Sequence, residues 1–190
     1  MSIETHLGRD ESESVSPTDV MRYWLGEELD DEDSDSDLDP DELATEPTLR
    51  EELLERKPIA GRVFASETAE WYDVELSAEE LKNLRVVVGE HDEDWRAMTD
   101  DDRIESVARR ILEVDDLSEF DEATPKNLDK VVGLAEEFAD SRPESRLIVV
   151  KEGDDPAYVA DGNHRAVAHV LYLLNGGEYE GHRAYLGVRE

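Results

Sequence analysis

Short apolar segments near the C-terminus predict a hairpin, a buried helix and a final strand. LIVV at 147–150 and AYVA at 157–160 are strand-like runs separated by the turn sequence KEGDDP. AVAHVLYLLN, at 166–175, is apolar almost all round, which is typical of a buried helix, and a Gly-Gly pair ends it. AYLGV at 184–188 predicts the last strand. This part of the chain is therefore expected to mix strands with a helix.

A strand followed by a short helix is predicted further upstream. WYDVEL, at 71–76, has the composition of a strand. Ser77 starts the segment SAEELKNL, and Glu80 stands three residues later, the spacing of a capping box at the start of a helix. The apolar run RVVV at 85–88 is interpreted as a second short strand.

Two longer helices are predicted between these regions. Thr99 is the expected cap of the first, and Thr124 with Pro125 is the expected start of the second. The apolar residues of the first recur at helical spacing: Ile104, Val107, Ala108, Ile111 and Leu112. Those of the second do the same: Leu128, Val131, Val132, Ala135 and Phe138. We therefore predict an α/β (α+β) fold, with a small mixed sheet and packed helices.

The first 47 residues are expected to form an acidic, largely disordered extension before a domain at 48–190. Residues 1–15 lack hydrophobic periodicity. Of the 16 residues from Glu27 to Glu42, 11 are acidic, and like-charge repulsion should keep such a segment extended as a linker. The alternative is an acidic arm that mimics DNA or binds a basic partner.

A short helix is predicted at 17–25 within this extension. Ser16 is its expected N-cap. Val20, Tyr23 and Trp24 fall on one face of such a helix. This apolar patch is suited to dock either on the domain or on a protein partner.

Charge and composition narrow the class of protein. The chain of 190 residues carries 52 acidic and 20 basic side chains, a formal net charge of -32, and only five of the basic residues are Lys. We interpret this as adaptation to a high-salt cytoplasm, where molar salt shortens the Debye length to ~3 Å; an ordinary acidic mesophilic protein is the alternative. Direct binding to a nucleic-acid backbone is not expected.

Further classes are excluded by what the sequence lacks. The chain has no Cys, which excludes disulfides and thiol catalysis. No apolar stretch approaches the ~18 residues of a membrane span, and the N-terminus has no secretory pattern. We therefore expect a cytoplasmic protein, or a virion component if the gene is viral, and no membrane partner.

One five-residue segment, DGNHR, carries candidate chemistry. Gly162 permits a tight turn, and the N-terminus of the helix that follows offers unpaired N–H groups to an anion. Asn163 and His164 add donors, and Arg165 adds a planar fork suited to two phosphate oxygens. Asp161 is the expected partner of a metal ion or of His164, so the segment predicts a phosphate site.

A purely structural interpretation of DGNHR also stands. Asp161 would cap the helix, Gly162 would serve the turn, and Arg165 would pair with one of the many carboxylates. Arg183, just before the last strand, is expected either to extend the positive pocket or to lie in an exposed turn with His182. His169 is expected to be a satisfied core histidine.

The pattern LIVVKEGDDPAYVADGNHRAVAHVLYLL resembles the ParB/sulfiredoxin-like superfamily over roughly residues 145–190. WYDVELSAEEL is similar to the family's opening strand and helix. The resemblance implies a phosphate-binding loop at DGNHR. Sulfiredoxin carries its catalytic Cys where Asn163 stands, so that activity is excluded. Among the family's loops, the DGHHR loop of archaeal free-serine kinases is the most similar in sequence to DGNHR. ParB-like nuclease-type domains are also similar.

The resemblance leaves two classes of function open. One is a nucleotide- or phosphate-binding domain of a haloarchaeon or its plasmid or virus, which as an enzyme would transfer a phosphoryl group from a nucleoside phosphate with Mg²⁺. Its general base would be a Glu, for which Glu93 and Glu90 are the candidates and Glu79 and Glu80 the less favoured ones. Asp161 is the candidate for a catalytic or metal-binding carboxylate. The other class is a non-enzymatic partition accessory or a structural component of a virus particle.

Overall fold

The structure is a computed structural model. It describes residues 12–31, 38–43, 45–65, 69–87, 93–124 and 126–189, with the side chains of Asp31 and Glu93 left out.

Five strands in the described part of the chain form one mixed sheet. They are β1 (Glu13–Val15), β2 (Glu70–Leu76), β3 (Leu147–Glu152), β4 (Tyr158–Asp161) and β5 (His182–Arg189). Their order is β1-β2-β5-β3-β4, in which β3 and β5 are parallel and the other neighbours are antiparallel. The hairpin expected at 147–160 is confirmed as the β3–β4 pair. The expected α/β class with a small mixed sheet is also confirmed.

Helices pack on both faces of the sheet. They are α1 (Pro17–Asp31), α2 (Glu46–Arg56), α3 (Ala60–Val63), α4 (Ala78–Asn83), α5 (Glu93–Ala97), α6 (Ile104–Glu113), α7 (Leu117–Ala123), α8 (Leu128–Glu137) and α9 (Asn163–Leu174), with a short 3-10 helix at Pro40–Glu42. None of the helices in the described ranges is long and apolar enough to cross a membrane.

Strand β3 lies inside the sheet, between β5 and β4, and is covered on both faces. Leu147 and Val149 face a core formed with α4, α6, α8 and α9. Ile148 and Val150 face a second core formed with α1, α2 and α3. A strand covered on both faces has no solvent side, and so LIVV lacks the polar alternation of a surface strand.

Helix α1 belongs to the second core: the short helix predicted at 17–25 is confirmed, extends to Asp31 and packs against the domain that was predicted to begin at residue 48. Val20 and Trp24 are fully buried, and the Trp24 ring lies 6.1 Å from that of Phe64. The Tyr23 hydroxyl accepts a hydrogen bond from the Arg146 amide at 2.6 Å. These three side chains therefore dock on their own domain, which is one of the two alternatives predicted for this patch.

The predicted extended linker is also corrected in part. Residues 27–31 are the last turn of α1, because the apolar face of the helix continues to pack as far as Leu29. Most of the predicted disordered start, residues 1–11, and residues 32–37 of the predicted linker lie outside the described residues.

The capping box predicted at the start of α4 is confirmed. Ser77 accepts from the Glu80 amide, and Glu80 accepts from the Ser77 amide at 2.8 Å. Thr99, by contrast, is not a cap, since α6 begins at Ile104 after Arg103. Thr124 ends α7, a helix that was not predicted, and Asn127 caps α8.

Two smaller predictions, one for RVVV and one for Leu112, are wrong. RVVV at 85–88 is not a strand in its described part, because Arg85 makes isolated bridges to Arg103 and Tyr158 instead of a continuous ladder. Leu112, assigned to the buried stripe of α6, is 47% exposed. The other four residues of that stripe are buried as predicted.

Candidate functional site

The DGNHR segment joins the end of β4 to the start of α9. Gly162 is the N-cap of α9 and has φ +91°, a left-handed conformation that favours glycine. A Cβ at this position would lie 2.7 Å from Leu147 Cδ2 and 3.1 Å from Arg165 Nη2. The Arg165 guanidinium therefore lies directly over Gly162, and only the missing side chain leaves room for this approach.

Arg165 binds oxygen atoms from three parts of the chain. Its Nη1 donates to Glu27 Oε2 at 2.8 Å, and its Nη2 donates to the Arg146 carbonyl at 3.3 Å and lies 3.5 Å from Asp161 Oδ2. Its side chain is 20% exposed, and Nε is buried without a hydrogen-bond partner in the described part of the structure. A carboxylate oxygen of Glu27 thus already accepts a hydrogen bond from Nη1 of the Arg165 guanidinium.

Asp161 faces cations on both carboxylate oxygens. Oδ1 lies 3.7 Å from Lys57 Nζ, and Oδ2 lies near Arg165. Lys57 also pairs with Glu28 at 3.3 Å. A divalent ion needs several free oxygen ligands, and in the described ranges no three His, Asp or Glu side chains are grouped to hold a metal. The residues present do not fit Mg²⁺, and the expected metal role of Asp161 is not supported.

Asn163 has a structural role in this arrangement. Its Oδ1 accepts from the Val87 amide at 3.0 Å, and its Nδ2 donates to the Val159 carbonyl at 3.1 Å. The side chain is buried, with 7% exposure. Its amide thus connects β4 to the segment after α4.

His164 is directed away from the loop. Its Nε2 donates to the Lys126 carbonyl at 2.5 Å, and its ring makes an edge contact with Trp95 at 5.0 Å. Burial is the largest cause of the lowered pKa of His164, and the bond to Lys126 only partly opposes it. The ring thus donates to the main chain of the protein, and its burial disfavours the charged form.

Arg183 lies on β5 and is paired elsewhere. Its Nη2 donates to Asp73 Oδ2 at 2.8 Å, and the same oxygen accepts from Arg146 at 2.9 Å. The Arg183 side chain is 48% exposed. It reaches Arg165 only through Asp73 and Arg146, so it stands beside the candidate site and not in it.

The carboxylates considered as a general base are not brought to the loop by any described contact. Glu79 is exposed and lies 3.6 Å from Lys82, and Glu80 closes the capping box of α4. Glu93 begins α5, but its side chain is outside the described part, as is the whole of Glu90.

Sequence reasoning missed the residues that complete the site. Glu27 and Glu28 were assigned to the linker, and Lys57 and Arg146 were not singled out. Glu27 and Glu28 come from α1, Lys57 directly follows α2 and Arg146 directly precedes β3, and together they surround Arg165 and Asp161 with charged side chains and a carbonyl. One feature of the sequence could have indicated that Glu27 and Glu28 are helical: they follow the apolar positions of α1, with only Gly26 between Leu25 and Glu27.

A buried histidine pair forms a second polar cluster. His169 Nδ1 and His182 Nδ1 lie 2.8 Å apart, and both side chains are buried. A pocket of about 250 Å³ borders His169, with Tyr172, Arg142 and Glu178 in its lining. His169 is thus a core residue as expected, but its partner is another histidine.

No match to this chain is found among models of protein families, curated proteins or solved structures. The resemblance to the ParB/sulfiredoxin-like superfamily therefore rests on DGNHR and the elements that flank it.

Proposed function

We propose that the chain binds a phosphate-bearing ligand, with a nucleotide as the leading class, at Arg165 and the N-terminus of α9, as a member of the ParB/sulfiredoxin-like superfamily. The observation that carries the proposal is the pairing of Arg165 with an oxyanion. Arg165 Nη1 already donates to a carboxylate oxygen of Glu27 at 2.8 Å. A phosphate oxygen is also a negatively charged acceptor that suits a guanidinium.

Two further features of the loop support this proposal. Gly162 has no side chain, and in the described structure no side chain caps α9. The first amides of this 12-residue helix therefore present partial positive charge beside Arg165. These amides and the Arg165 guanidinium are donors to an anion, and they favour an anionic ligand.

The proposal is ligand binding and not a reaction. Phosphotransfer would need a base and a metal-binding carboxylate at the loop. Asp161 lies between Lys57 and Arg165, an environment that suits an ion pair better than a metal ligand. We accordingly assign Asp161 to holding the Arg165 guanidinium over Gly162.

A second function is favoured by one specific observation. Asn163 and His164 direct their side chains to main-chain groups of the protein, as expected of a loop that organises the fold. A non-enzymatic partition accessory or structural component of a plasmid or virus would need only this stabilising role. In that case Arg165 would pair with Glu27 permanently and bind no ligand.

Isothermal titration calorimetry in molar KCl separates the two functions. Wild type, Arg165→Ala and Arg109→Ala are titrated with ATP, CTP and inorganic phosphate. Arg109 is an exposed arginine on α6 paired with Glu105, so its variant controls for charge. We expect at least one ligand to bind roughly ten- to a hundredfold more weakly to Arg165→Ala alone. An absence of binding to wild type would favour the structural role.

A further inference from the structure

The last turn of α1 holds the carboxylate that occupies the proposed phosphate position. We infer that this turn is a built-in competitor: Glu27 fills the anion position at Arg165, and a phosphate ligand binds by displacing it. The inference rests on the proposed function, because it concerns how that same site is regulated.

Glu27 and a phosphate would compete for the same donor. Glu27 Oε2 lies 2.8 Å from Arg165 Nη1, whereas Nη2 contacts the Arg146 carbonyl and Asp161. The Arg165 side chain is 20% exposed and that of Glu27 is 25% exposed. A phosphate oxygen that takes the N–H now bonded to Glu27 replaces that carboxylate, and the like charges of the two anions oppose binding of both to one guanidinium.

The last turn of α1 is less buried than the residues that precede it. Residues 20–25 include four fully or almost fully buried side chains that anchor the first half: Val20, Met21, Trp24 and Leu25. Gly26 follows immediately, and glycine weakens a helix at this point. A Cβ at Gly26 would meet no atom within 4 Å, so packing does not require a glycine there.

The charges of residues 27–31 also weaken the last turn of α1. Residues 27–31 carry four carboxylates, and the last turn of α1 has no basic residue. Acidic side chains at the C-terminal end of a helix are unfavourable, because that end carries partial negative charge. Glu27 pairs with Arg165, and Glu28 pairs with Lys57. Besides the packing of Leu29 against the second core, the turn is thus held by cations that a phosphate would also attract.

The test uses the full chain in molar KCl, with inorganic tripolyphosphate as the probe. Glu27→Gln removes the competing charge and should bind the probe about tenfold more tightly than wild type. Asp30→Asn removes the same charge from an exposed position of the same turn and should stay within about twofold. Gly26→Ala strengthens the helix and should bind roughly three- to fivefold more weakly.

Hydrogen exchange of the wild type supplies an independent measurement. With saturating tripolyphosphate, the amides of 27–31 should exchange faster while those of 20–25 stay unchanged. Equal affinities of wild type and Glu27→Gln, or unchanged exchange at 27–31 in a bound complex, would overturn the inference and leave the proposed function standing. Failure of all four proteins to bind the probe would remove both.

Discussion

His169 and His182 share a hydrogen bond between their Nδ1 atoms, 2.8 Å apart, although one lies in helix α9 and the other begins strand β5. Only one of the two nitrogens can donate, so the pair is stable with both rings neutral. Burial lowers the pKa of His169 to about 4 and that of His182 to about 3. Arg142 contributes to lowering both pKa values, and His169 to that of His182.

This pair predicts a loss of stability in mild acid. The unfolded chain takes up protons on both histidines below about pH 6.5, whereas the folded chain does not until near pH 4. The free energy of unfolding should therefore decrease as the pH is lowered through this window, by up to ~1.4 kcal/mol per pH unit for each histidine.

Urea unfolding in molar KCl at several pH values measures this slope. His182→Asn keeps a hydrogen-bonding group but removes one titrating ring, and the slope should decrease by up to ~1.4 kcal/mol per pH unit. Comparing the two proteins cancels the titration of the surface carboxylates. Identical slopes in wild type and variant would show that the pair does not carry the effect.

Asn163 is predicted to matter for stability more than for ligand contact. Asn163→Ala removes two buried hydrogen bonds and leaves the Val87 amide and the Val159 carbonyl without their partner. We expect a loss of ~2–4 kcal/mol in the free energy of unfolding. Asn175→Ala, at the exposed end of the same helix, should change it by less than ~0.5 kcal/mol. Similar values for both variants would contradict the linking role.

Two glycine-to-alanine substitutions should have opposite signs. At Gly162, φ is +91° and the new Cβ would lie 2.7 Å from Leu147 Cδ2, so we expect a loss of ~1–3 kcal/mol. At Gly133, inside α8, nothing lies within 4 Å of the new Cβ, and a gain of ~0.5–1 kcal/mol is expected. Thermal unfolding of both variants checks the prediction, which fails if Gly162→Ala is as stable as wild type.

Local features of the fold could be predicted from sequence, but the partners of the site could not. Ser77 and Glu80 are three residues apart, so their capping box follows from helix geometry alone. Glu27 and Arg165 are 138 residues apart, and their meeting depends on how α1 crosses the sheet. The acidic composition after Leu25 predicted repulsion and an extended chain, whereas burial of Trp24 and pairing with Arg165 favour the helix.

The loop itself illustrates the same limit. The turn at Gly162 and the helix after it followed from residue type and pattern. The orientations of Asn163 and His164 did not, because Val87 and Lys126 approach from segments far along the chain. Residue type indicated which side chains can donate a hydrogen bond, and only the packing determines which partners they reach.

The net charge of -32 predicts a strong dependence of folding on salt. At molar KCl the Debye length is ~3 Å, and repulsion between the carboxylates is screened. Circular dichroism across a KCl titration should show helix and strand signal lost at low ionic strength and recovered at high salt. A spectrum that stays unchanged in dilute buffer would remove the interpretation as a salt-adapted protein.

The central claim is that Arg165 and the first amides of α9 bind a phosphate oxyanion, and nuclear magnetic resonance tests it most directly. Inorganic tripolyphosphate is titrated into ¹⁵N-labelled protein in molar KCl while the Arg165 Nε–H and the amides of 163–165 are followed. These signals should shift and saturate together, and the Nε–H of Arg183, paired with Asp73, should not. Shifts that spare Arg165 and 163–165, or no saturable shift at all, would contradict the account.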